Sequence, residues 1–282
     1  MAIVHVTNWN DLVDAVNNAT EDTDIYIDND IDLNTEGNYS QGVPTALVAT
    51  KTIHVYGDST THTKIKNIYH RNNFVLFKGS DVSSVRKWLY FHYIDFENVI
   101  VEASGSTCAF MGYACGLEDC KVSMTATCLS SAATQSLFGA ARSYCDRCGI
   151  TISGSNGVRA PYILLAGDSN CMFDNIKLLG TFYDINLGDM RNCYIHGDFK
   201  QTHNSGSTFK LNLKACIVNA TIDMAVLPTC TGSILALINT DNLTLPSGKT
   251  LADLSSLLTQ CSEVDLRNAD TLWSTYGFPI RG

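Results

Sequence analysis

The chain of 282 residues is long enough to build a large hydrophobic core in one domain, and 45% of its residues are hydrophobic while only 17% are charged. Its net charge of −9 and its pI near 5.1 argue against a nucleic-acid partner, which requires a basic surface. No apolar run approaches the length of a membrane-spanning helix, and residues 1–10 lack the cationic and apolar regions of a signal peptide. We therefore expect no membrane partner and no signal peptide.

The first predicted elements are a short helix and a strand. Asn8 is a favourable N-cap residue, and Asp11 follows three residues later. One face of the predicted helix is apolar and carries Leu12, Val13, Val16 and Ala19. Residues 25–33 then alternate apolar and polar side chains with a period of two, which is typical of a half-buried strand. We expect the helix to cover the open end of the sheet that this strand begins.

The central part of the chain is a loose repeat. Short apolar runs that end in glycine recur at intervals of 33, 27, 28 and 21 residues, at Gly79, Gly112, Gly139, Gly167 and Gly188. Each is followed by a turn and a second short run rich in β-branched residues, which favours strands. A repeat of this length without helical periodicity predicts a solenoid, whose units bury their apolar faces only by stacking.

The cysteines follow the same repeat. Four of the eleven occupy equivalent positions at the start of the second runs: Cys120, Cys148, Cys193 and Cys216. An odd number of cysteines without an export signal favours free, inward-facing thiols over disulfides. The segment from Cys145 to Cys148 is a single C-x-x-C motif, which is a weak indication of a zinc or redox site because no second pair accompanies it.

The helix, the segment DTDIYIDNDIDLN at residues 22–34 and the repeated runs together resemble the right-handed parallel β-helix family over residues 5–245. That family includes pectate-lyase-like enzymes, phage tailspikes and other virion appendages. The resemblance implies an all-β, single-stranded right-handed parallel β-helix with an N-terminal helix cap. It divides the chain into a cap and first strands at 1–34, coils at 35–245 and a C-terminal segment at 246–282.

The C-terminal segment departs from the repeat. Residues 250–261 carry leucines at helical spacing and predict a short helix. The aromatic tail that follows predicts either a cap on the last coil or an interface, with Leu272, Trp273, Tyr276 and Phe278 as buried anchors.

The candidate catalytic residues precede the second runs at equivalent positions. These positions hold Glu97, Asp119, Arg147, Asp174, Asn192 and Ala215. Neighbouring carboxylates suit acid–base cleavage of a glycosidic bond, so Glu97, Asp119 and Asp174 are candidates. With Asp95 and Glu118 nearby, the same oxygens suit Ca²⁺. The alternative is that these acidic side chains lie at turns and are only solvated surface. We expect neither a bound metal nor a cofactor.

Aromatic residues alternate along residues 88–93. Trp88, Tyr90 and His92 share one face of a predicted strand and are candidates for stacking against a sugar. The alternative is that one side of this strand is core and the other is packed surface.

These features predict a structural protein of a bacteriophage particle, such as a capsid decoration, fibre or tail component, that binds a host-surface glycan and is not an enzyme. The resemblance implies a homotrimer that contacts other virion proteins. The first alternative is a polysaccharide lyase or glycoside hydrolase. The second is a bacterial surface adhesin, which would require export and anchoring signals.

Overall fold

The structure, a computed structural model, is predominantly β. It describes residues 1–34, 44–71, 75–82, 85–103, 108–128, 136–139, 143–154, 162–164, 172–174, 177–191, 193–200, 210–214, 216–224, 226–228, 230 and 236–262. Within these residues the strands pair in parallel, apart from one short antiparallel hairpin of Ser80–Val82 and Val85–Lys87.

The predicted N-terminal helix is present at Trp9–Asn17. The side chain of Asn8 accepts a hydrogen bond from the Asp11 amide at 2.9 Å, as expected of an N-cap. The buried face of the helix consists of Trp9, Leu12 and Val16. At the other end, the side chain of Asn17 donates to the carbonyl of Ala46 and accepts from the amide of Val48. These two bonds fix the helix to the next part of the chain.

The strands form three stacks, in which each strand pairs with the equivalent strand of the next repeat. The first stack consists of Ala2–Val6, Thr23–Ile27, Ile53–Tyr56, Leu89–His92, Cys115–Glu118, Ser143–Asp146, Met172–Asp174, the end of Lys177–Arg191, and Lys210–Lys214. The third stack consists of Leu47–Val48, Val75–Lys78, Cys108–Met111 and Ser136–Gly139.

The second stack follows the first along the chain. It consists of Ile31–Asp32, Thr63–Lys66, Ile94–Ala103, Lys121–Cys128, Gly149–Gly154, the start of Lys177–Arg191, Tyr194–Lys200, Ile217–Asp223, Ala236–Asn239 and Leu258–Cys261. Three short strands pair along its far side: Tyr69–Arg71, Tyr162–Leu164 and Leu243–Thr244.

The register matches the predicted repeat. Leu89 pairs with Cys115 and Cys115 with Ser143, so successive strands are 26 and 28 residues apart in the chain. Inward positions are buried, as at Leu89 and Phe91, while the positions between them face outward. The sequence prediction of an all-β, parallel architecture is confirmed.

The centre of the core is aromatic. The ring of Phe77 lies 4.8 to 5.6 Å from the rings of Phe91, Phe96 and Phe110, measured between centroids. Trp9 reaches Phe77 from the helix at 6.3 Å. These distances are those of favourable tilted and edge-to-face packing, so the helix and the first strands share one core.

A column of left-handed residues marks the corner between the first and second stacks. His62, Tyr93, Asp119 and Arg147 have φ between 50° and 57°, and the pairing of the adjacent strands places them at equivalent positions of successive repeats. None is glycine, so each costs on the order of 1 kcal/mol or more in backbone strain. In these four repeats the chain therefore turns this corner in the same way.

Amides stack at a second corner. Asn67 and Asn98 also have positive φ, of 60° and 53°. The side-chain Nδ2 of Asn98 donates to Asn67 Oδ1 at 2.7 Å, and the side-chain Nδ2 of Asn67 donates to Asp32 Oδ1 at 2.7 Å. Asparagine tolerates this conformation better than most residues, which explains its use here.

The cysteine prediction is confirmed for the described residues. Cys120, Cys148, Cys193 and Cys216 are at most 2% exposed, and the nine cysteines whose side chains the structure describes form no disulfides. Cys120 donates to the carbonyls of Glu118 and Phe91, and Cys148 donates equivalently to those of Asp146 and Leu117. The thiols therefore bind the carbonyls beside the corner, which explains their recurrence at this position.

The prediction of a helix over residues 250–261 is wrong. The chain forms a 3₁₀ turn at Leu251–Asp253, capped by Asp253 Oδ2 accepting from the Thr250 amide at 2.8 Å, and then the strand Leu258–Cys261. That strand pairs with Ala236–Asn239 and buries Leu258 and Cys261. The open edge of the stack offers ladder hydrogen bonds that outweigh the helical spacing of the leucines.

Residues 263–282, including Leu272, Trp273, Tyr276 and Phe278, lie outside the described residues. The division of the chain at residues 34 and 245 stays a prediction.

Two glycine substitutions test the close packing between stacks. A Cβ added at Gly79 would lie within 2.6 Å of the Ala114 carbonyl oxygen and closer still to that of Lys87. Since both obstacles are backbone, we expect Gly79→Ala to lower the free energy of unfolding by about 3 kcal/mol. A Cβ added at Gly149 would lie 3.7 Å from the nearest atom, so Gly149→Ala should change the free energy of unfolding by less than about 0.5 kcal/mol. Urea unfolding followed by circular dichroism measures both, and equal effects would contradict this packing.

Candidate functional site

A ladder of aromatic rings lies on the outward face of the first stack. His5, Tyr26, Tyr56 and His92 occupy one register position of four successive strands. Their ring centroids are 5.4, 5.1 and 4.6 Å apart, with interplanar angles of 15° to 21°. Such offset-stacked pairs each stabilise the structure by roughly 0.5–1.5 kcal/mol beyond area burial. We call this column, together with its neighbours His54, Tyr90 and Trp88, the aromatic ladder.

The neighbouring column contains the other predicted aromatic residues. Tyr90 stacks with His54 at 4.9 Å, and Trp88 stacks with Tyr90 at 5.3 Å and 10°. Leu89 and Phe91, which lie between them in the strand, are fully buried. The predicted alternation is therefore confirmed, and Trp88, Tyr90 and His92 share the outward face.

The ladder is closely packed against the protein. A Cβ added at Gly116 would lie 2.5 and 2.7 Å from two ring carbons of Tyr90 and 3.4 Å from one of Tyr144. The Tyr90 ring thus rests on the backbone of Gly116, with His54 as its neighbour in the preceding strand. Because protein atoms occupy the surroundings of this ring, the geometry favours the packed-surface alternative over sugar stacking at Tyr90.

A chain of contacts between titratable groups joins the ladder to its acidic end. His54 Nδ1 lies 3.0 Å from His92 Nε2, and His92 Nδ1 lies 3.2 Å from Glu118 Oε2. In the hydrogen bond between the two imidazoles one ring donates and the other accepts, so the accepting ring is neutral.

Burial keeps these imidazoles neutral. Desolvation, with a smaller contribution from His54, lowers the pKa of His92 to about 4. Desolvation also lowers the pKa of His54 and raises the pKa of Glu118, because burial disfavours the charged form of each group.

Beyond Glu118, the corner column forms a compact ion-pair cluster. Arg147 binds Asp119 with two hydrogen bonds, Nε to Oδ1 at 2.8 Å and Nη2 to Oδ2 at 2.7 Å. Its Nη1 also contacts Asp146. The hydrogen bonds from Arg147 hold the pKa of Asp119 below its usual value, and Asp119 in turn raises the pKa of Arg147. Asp119 is therefore a carboxylate at neutral pH and does not serve as a proton donor.

An open groove of about 630 Å³ runs beside this corner, over the outward face of the second stack. Its lining spans three successive strands and includes Asp95, Glu97, Lys121, Ser123 and Thr151. The lining of the groove thus contains both hydroxyl groups and ion-paired side chains.

The groove contains a buried carboxylate with two partners. Asp95 is 8% exposed, and its Oδ1 lies 2.7 Å from His62 Nδ1 while its Oδ2 lies 3.3 Å from Lys121 Nζ. Glu97 pairs instead with Lys64 at 2.7 Å. The groove therefore combines hydrogen-bond donors and acceptors whose charges are largely compensated within the protein.

The predicted column of candidate catalytic residues is only partly present. Asp119 and Arg147 do occupy equivalent positions. Glu97 does not, because the register places Tyr93 beside Asp119 and Glu97 beside Lys66. The strand begins at Ile94 and pairs Asp95 with Lys121, so the predicted alignment, which started this run at Asn98, was four residues too late.

The remaining members of that column are placed as follows. The backbone of Asp174 pairs with Asp146, one position before Arg147 in the repeat, and its side chain is not among those described. Asn192 and Ala215 lie outside the described residues.

Sequence reasoning missed the two histidine arrangements. The His54–His92–Glu118 chain had a detectable signal, since His54 and Tyr56 have the same two-residue spacing as Tyr90 and His92. The His62–Asp95 pair had none, because it joins residues 33 apart across strands whose register the sequence does not specify.

Comparisons of the chain with protein families, with curated proteins and with solved structures find no match. In the described ranges, no helix combines the length and apolar character needed to cross a membrane. No three potential metal ligands converge in that part of the chain.

The lowered pKa of His92 predicts a loss of stability in mild acid. An unfolded histidine binds a proton near pH 6.5, whereas folded His92 does so near pH 4. Between these values the unfolded chain binds more protons, so the free energy of unfolding falls as pH falls from 6.5 to 4. His54 contributes in the same direction, and the raised pKa of Glu118 opposes it. We expect a net loss of about 1–2 kcal/mol after discounting for partial exposure.

Urea unfolding at pH 7 and pH 4.5 measures this loss, and His92→Gln should reduce it. Titration of the His92 ring by NMR provides the direct check. A midpoint near 6.5 would contradict the proposed neutral, hydrogen-bonded state.

Proposed function

We propose that the three strand stacks close into a right-handed parallel β-helix. The support is that the chain visits the stacks repeatedly in the order first, second, third, and that the left-handed residue at the corner after the first stack recurs four times in succession. Parallel pairing throughout the stacks requires such a repeated crossover, and that crossover is right-handed in nearly all proteins.

We infer that this β-helix is a non-enzymatic structural protein of a bacteriophage particle that binds a glycan. The observation that carries the glycan proposal is the open groove of about 630 Å³ across three successive strands. A chain of sugar residues is extended and repeats, so a groove that crosses repeated strands matches its form. The resemblance to virion appendages and the free, buried thiols support assembly inside a reducing cell.

The charge pattern of the groove favours a neutral glycan. Asp95, Glu97 and Asp119 are each bound by a cationic side chain or a histidine, so no group carries an uncompensated charge aimed at the ligand. Paired charges offer donors and acceptors to hydroxyl groups without repelling a neutral ligand. An acidic polysaccharide would gain little here and would be repelled by the net charge of −9.

The ion pairs of Asp119 and Glu97 argue against the predicted use of these two residues as an acid–base pair. Glycoside cleavage requires one carboxyl group to be protonated. Asp119 is held ionised by Arg147, and Glu97 is bound by Lys64. The two do not share a register position, so binding accounts for the groove better than catalysis by these residues.

A second candidate function is cleavage of a polysaccharide, favoured by the His62–Asp95 pair at the groove. A buried carboxylate that fixes the tautomer of a histidine leaves the other ring nitrogen able to accept a proton. We give this function second place because Lys121 also engages Asp95, which divides the carboxylate between the two partners.

Filling the groove tests the binding proposal. Thr151→Trp places a bulky side chain in the groove, and Thr221→Trp places the same side chain on an exposed, outward position of a later strand. We expect the first variant to weaken binding to a neutral polysaccharide at least tenfold in isothermal titration calorimetry, and the second to leave it unchanged. Equal binding by both variants would place the ligand elsewhere.

Cleavage is tested on the same panel of neutral and acidic polysaccharides. We expect no release of reducing ends or unsaturated sugars. Release that is lost in His62→Gln but kept in Glu97→Gln would replace the binding proposal by the second candidate.

The virion assignment is tested separately. Particles purified on a density gradient from the source culture should contain the protein in a constant ratio to the capsid protein. Recovery only outside the particles would contradict it.

A further inference from the structure

The strand Ala2–Val6 has one open edge. It pairs with Thr23–Ile27, and the bonds from the Ala2 amide to Asp22 and from the Asp28 amide to the Val6 carbonyl show which residues face that partner. In a parallel pair, alternate residues of a strand direct both backbone groups to the same side. Ile3 and His5 therefore direct theirs to the opposite side, where no strand pairs in the described part of the chain.

The exposed apolar side chains lie at the ends of the stacks. The large hydrophobic residues exposed in the described ranges are Met1, Ile3, Tyr26, Leu251 and Leu257. Met1 and Ile3 are 76% and 66% exposed beside the open edge, and Tyr26 is in the next strand. Unpaired backbone groups next to exposed apolar side chains form a surface on which another strand adds readily.

We propose that Ala2–Val6 pairs antiparallel with the same strand of a second copy, about a two-fold axis at Val4. Ile3 and His5 lie symmetrically on either side of Val4. The symmetry therefore places Ile3 opposite the partner's His5, and each such pair exchanges two backbone hydrogen bonds. The backbone N–H and C=O groups of Ile3 and His5, four in each copy, are then all hydrogen-bonded to the other copy.

The side chains agree with this arrangement. Ile3 and His5 both project from the outward face, and the His5 side chain is 60% exposed. Directly opposite residues of an antiparallel pair contact each other, so Ile3 would cover the ring of the partner's His5. The ring stack of His5 and Tyr26 would end on the aliphatic side chain of the partner's Ile3.

A second copy explains the edge better than a repeating filament. A contact between Ala2–Val6 and the far-end strand Leu258–Cys261 of another copy would be head-to-tail and would continue without limit. The two-fold contact uses the same five residues from each copy and closes after two. Because this contact buries only a small area, we expect the dimer to dissociate on dilution.

Cysteine cross-linking tests the register. Paired residues of antiparallel strands lie about 5.5 Å apart between Cα atoms, within the range that a disulfide spans. Under mild oxidation, a mixture of Ile3→Cys and His5→Cys proteins should form a covalent dimer containing one chain of each. Neither variant alone should do so, because identical positions are displaced along the strands beyond that range. The described native thiols are buried except Cys230, and the unsubstituted protein controls for them.

Light scattering over a range of concentrations tests the contact without new thiols. Ile3→Lys should shift the dimer midpoint to at least tenfold higher concentration, while Leu257→Lys, at the other end of the stacks, should leave it unchanged. Circular dichroism confirms that both variants are folded. Absence of the mixed cross-link would overturn the proposal, and so would an equal effect of the two lysine variants, which indicates head-to-tail contact. Glycan binding by the Ile3→Lys monomer is expected to be unaffected, so this test is independent of the groove.

Discussion

In-register parallel pairing is the constraint on which the rest of this structure depends. Because strands lie about 4.8 Å apart and do not shift register along most of the stack, each outward side chain contacts the same position of the strands before and after it. The side chains that follow one another in such a column must therefore make favourable contacts with each other. Rings stack on rings in the aromatic ladder, and charges alternate in sign, as in the column of Lys64, Asp95 and Lys121. Like charges in these positions would repel.

The corner between the first and second stacks shows how this constraint offsets strain. Four non-glycine residues adopt a left-handed conformation there, and each costs roughly 1 kcal/mol or more. The bidentate bonds from Arg147 to Asp119 connect two of these residues across adjacent repeats. The thiols of Cys120 and Cys148 bind carbonyls beside the same corner. Interactions between repeats thus stabilise a turn that each repeat alone would not favour.

The sequence predicted what is periodic and local. The helix after Asn8, the outward face of Trp88, Tyr90 and His92, and the inward cysteines each follow from spacing within one element. The position of Glu97 was missed because the repeat is loose: the run was aligned from Asn98, whereas the strand begins at Ile94 and pairs Asp95 with Lys121. The leucines of residues 250–261 fit a helix by spacing, but an available strand edge decided the structure. The spacing of residues within one segment does not show that such an edge is available.

Stacking also determines where such a molecule can bind other molecules. Along the outward face of the first stack, rings and charged groups have partners in the neighbouring strand, as Tyr90 has in His54 and Glu118 has in His92. The outer edge of Ala2–Val6 has no paired strand in the described part of the chain. The groove differs again, because its lining adds the hydroxyl groups of Ser123 and Thr151 to compensated charges. The same pairing rule that stabilises the sides therefore leaves this edge and the groove as the surfaces where we propose a partner and a ligand.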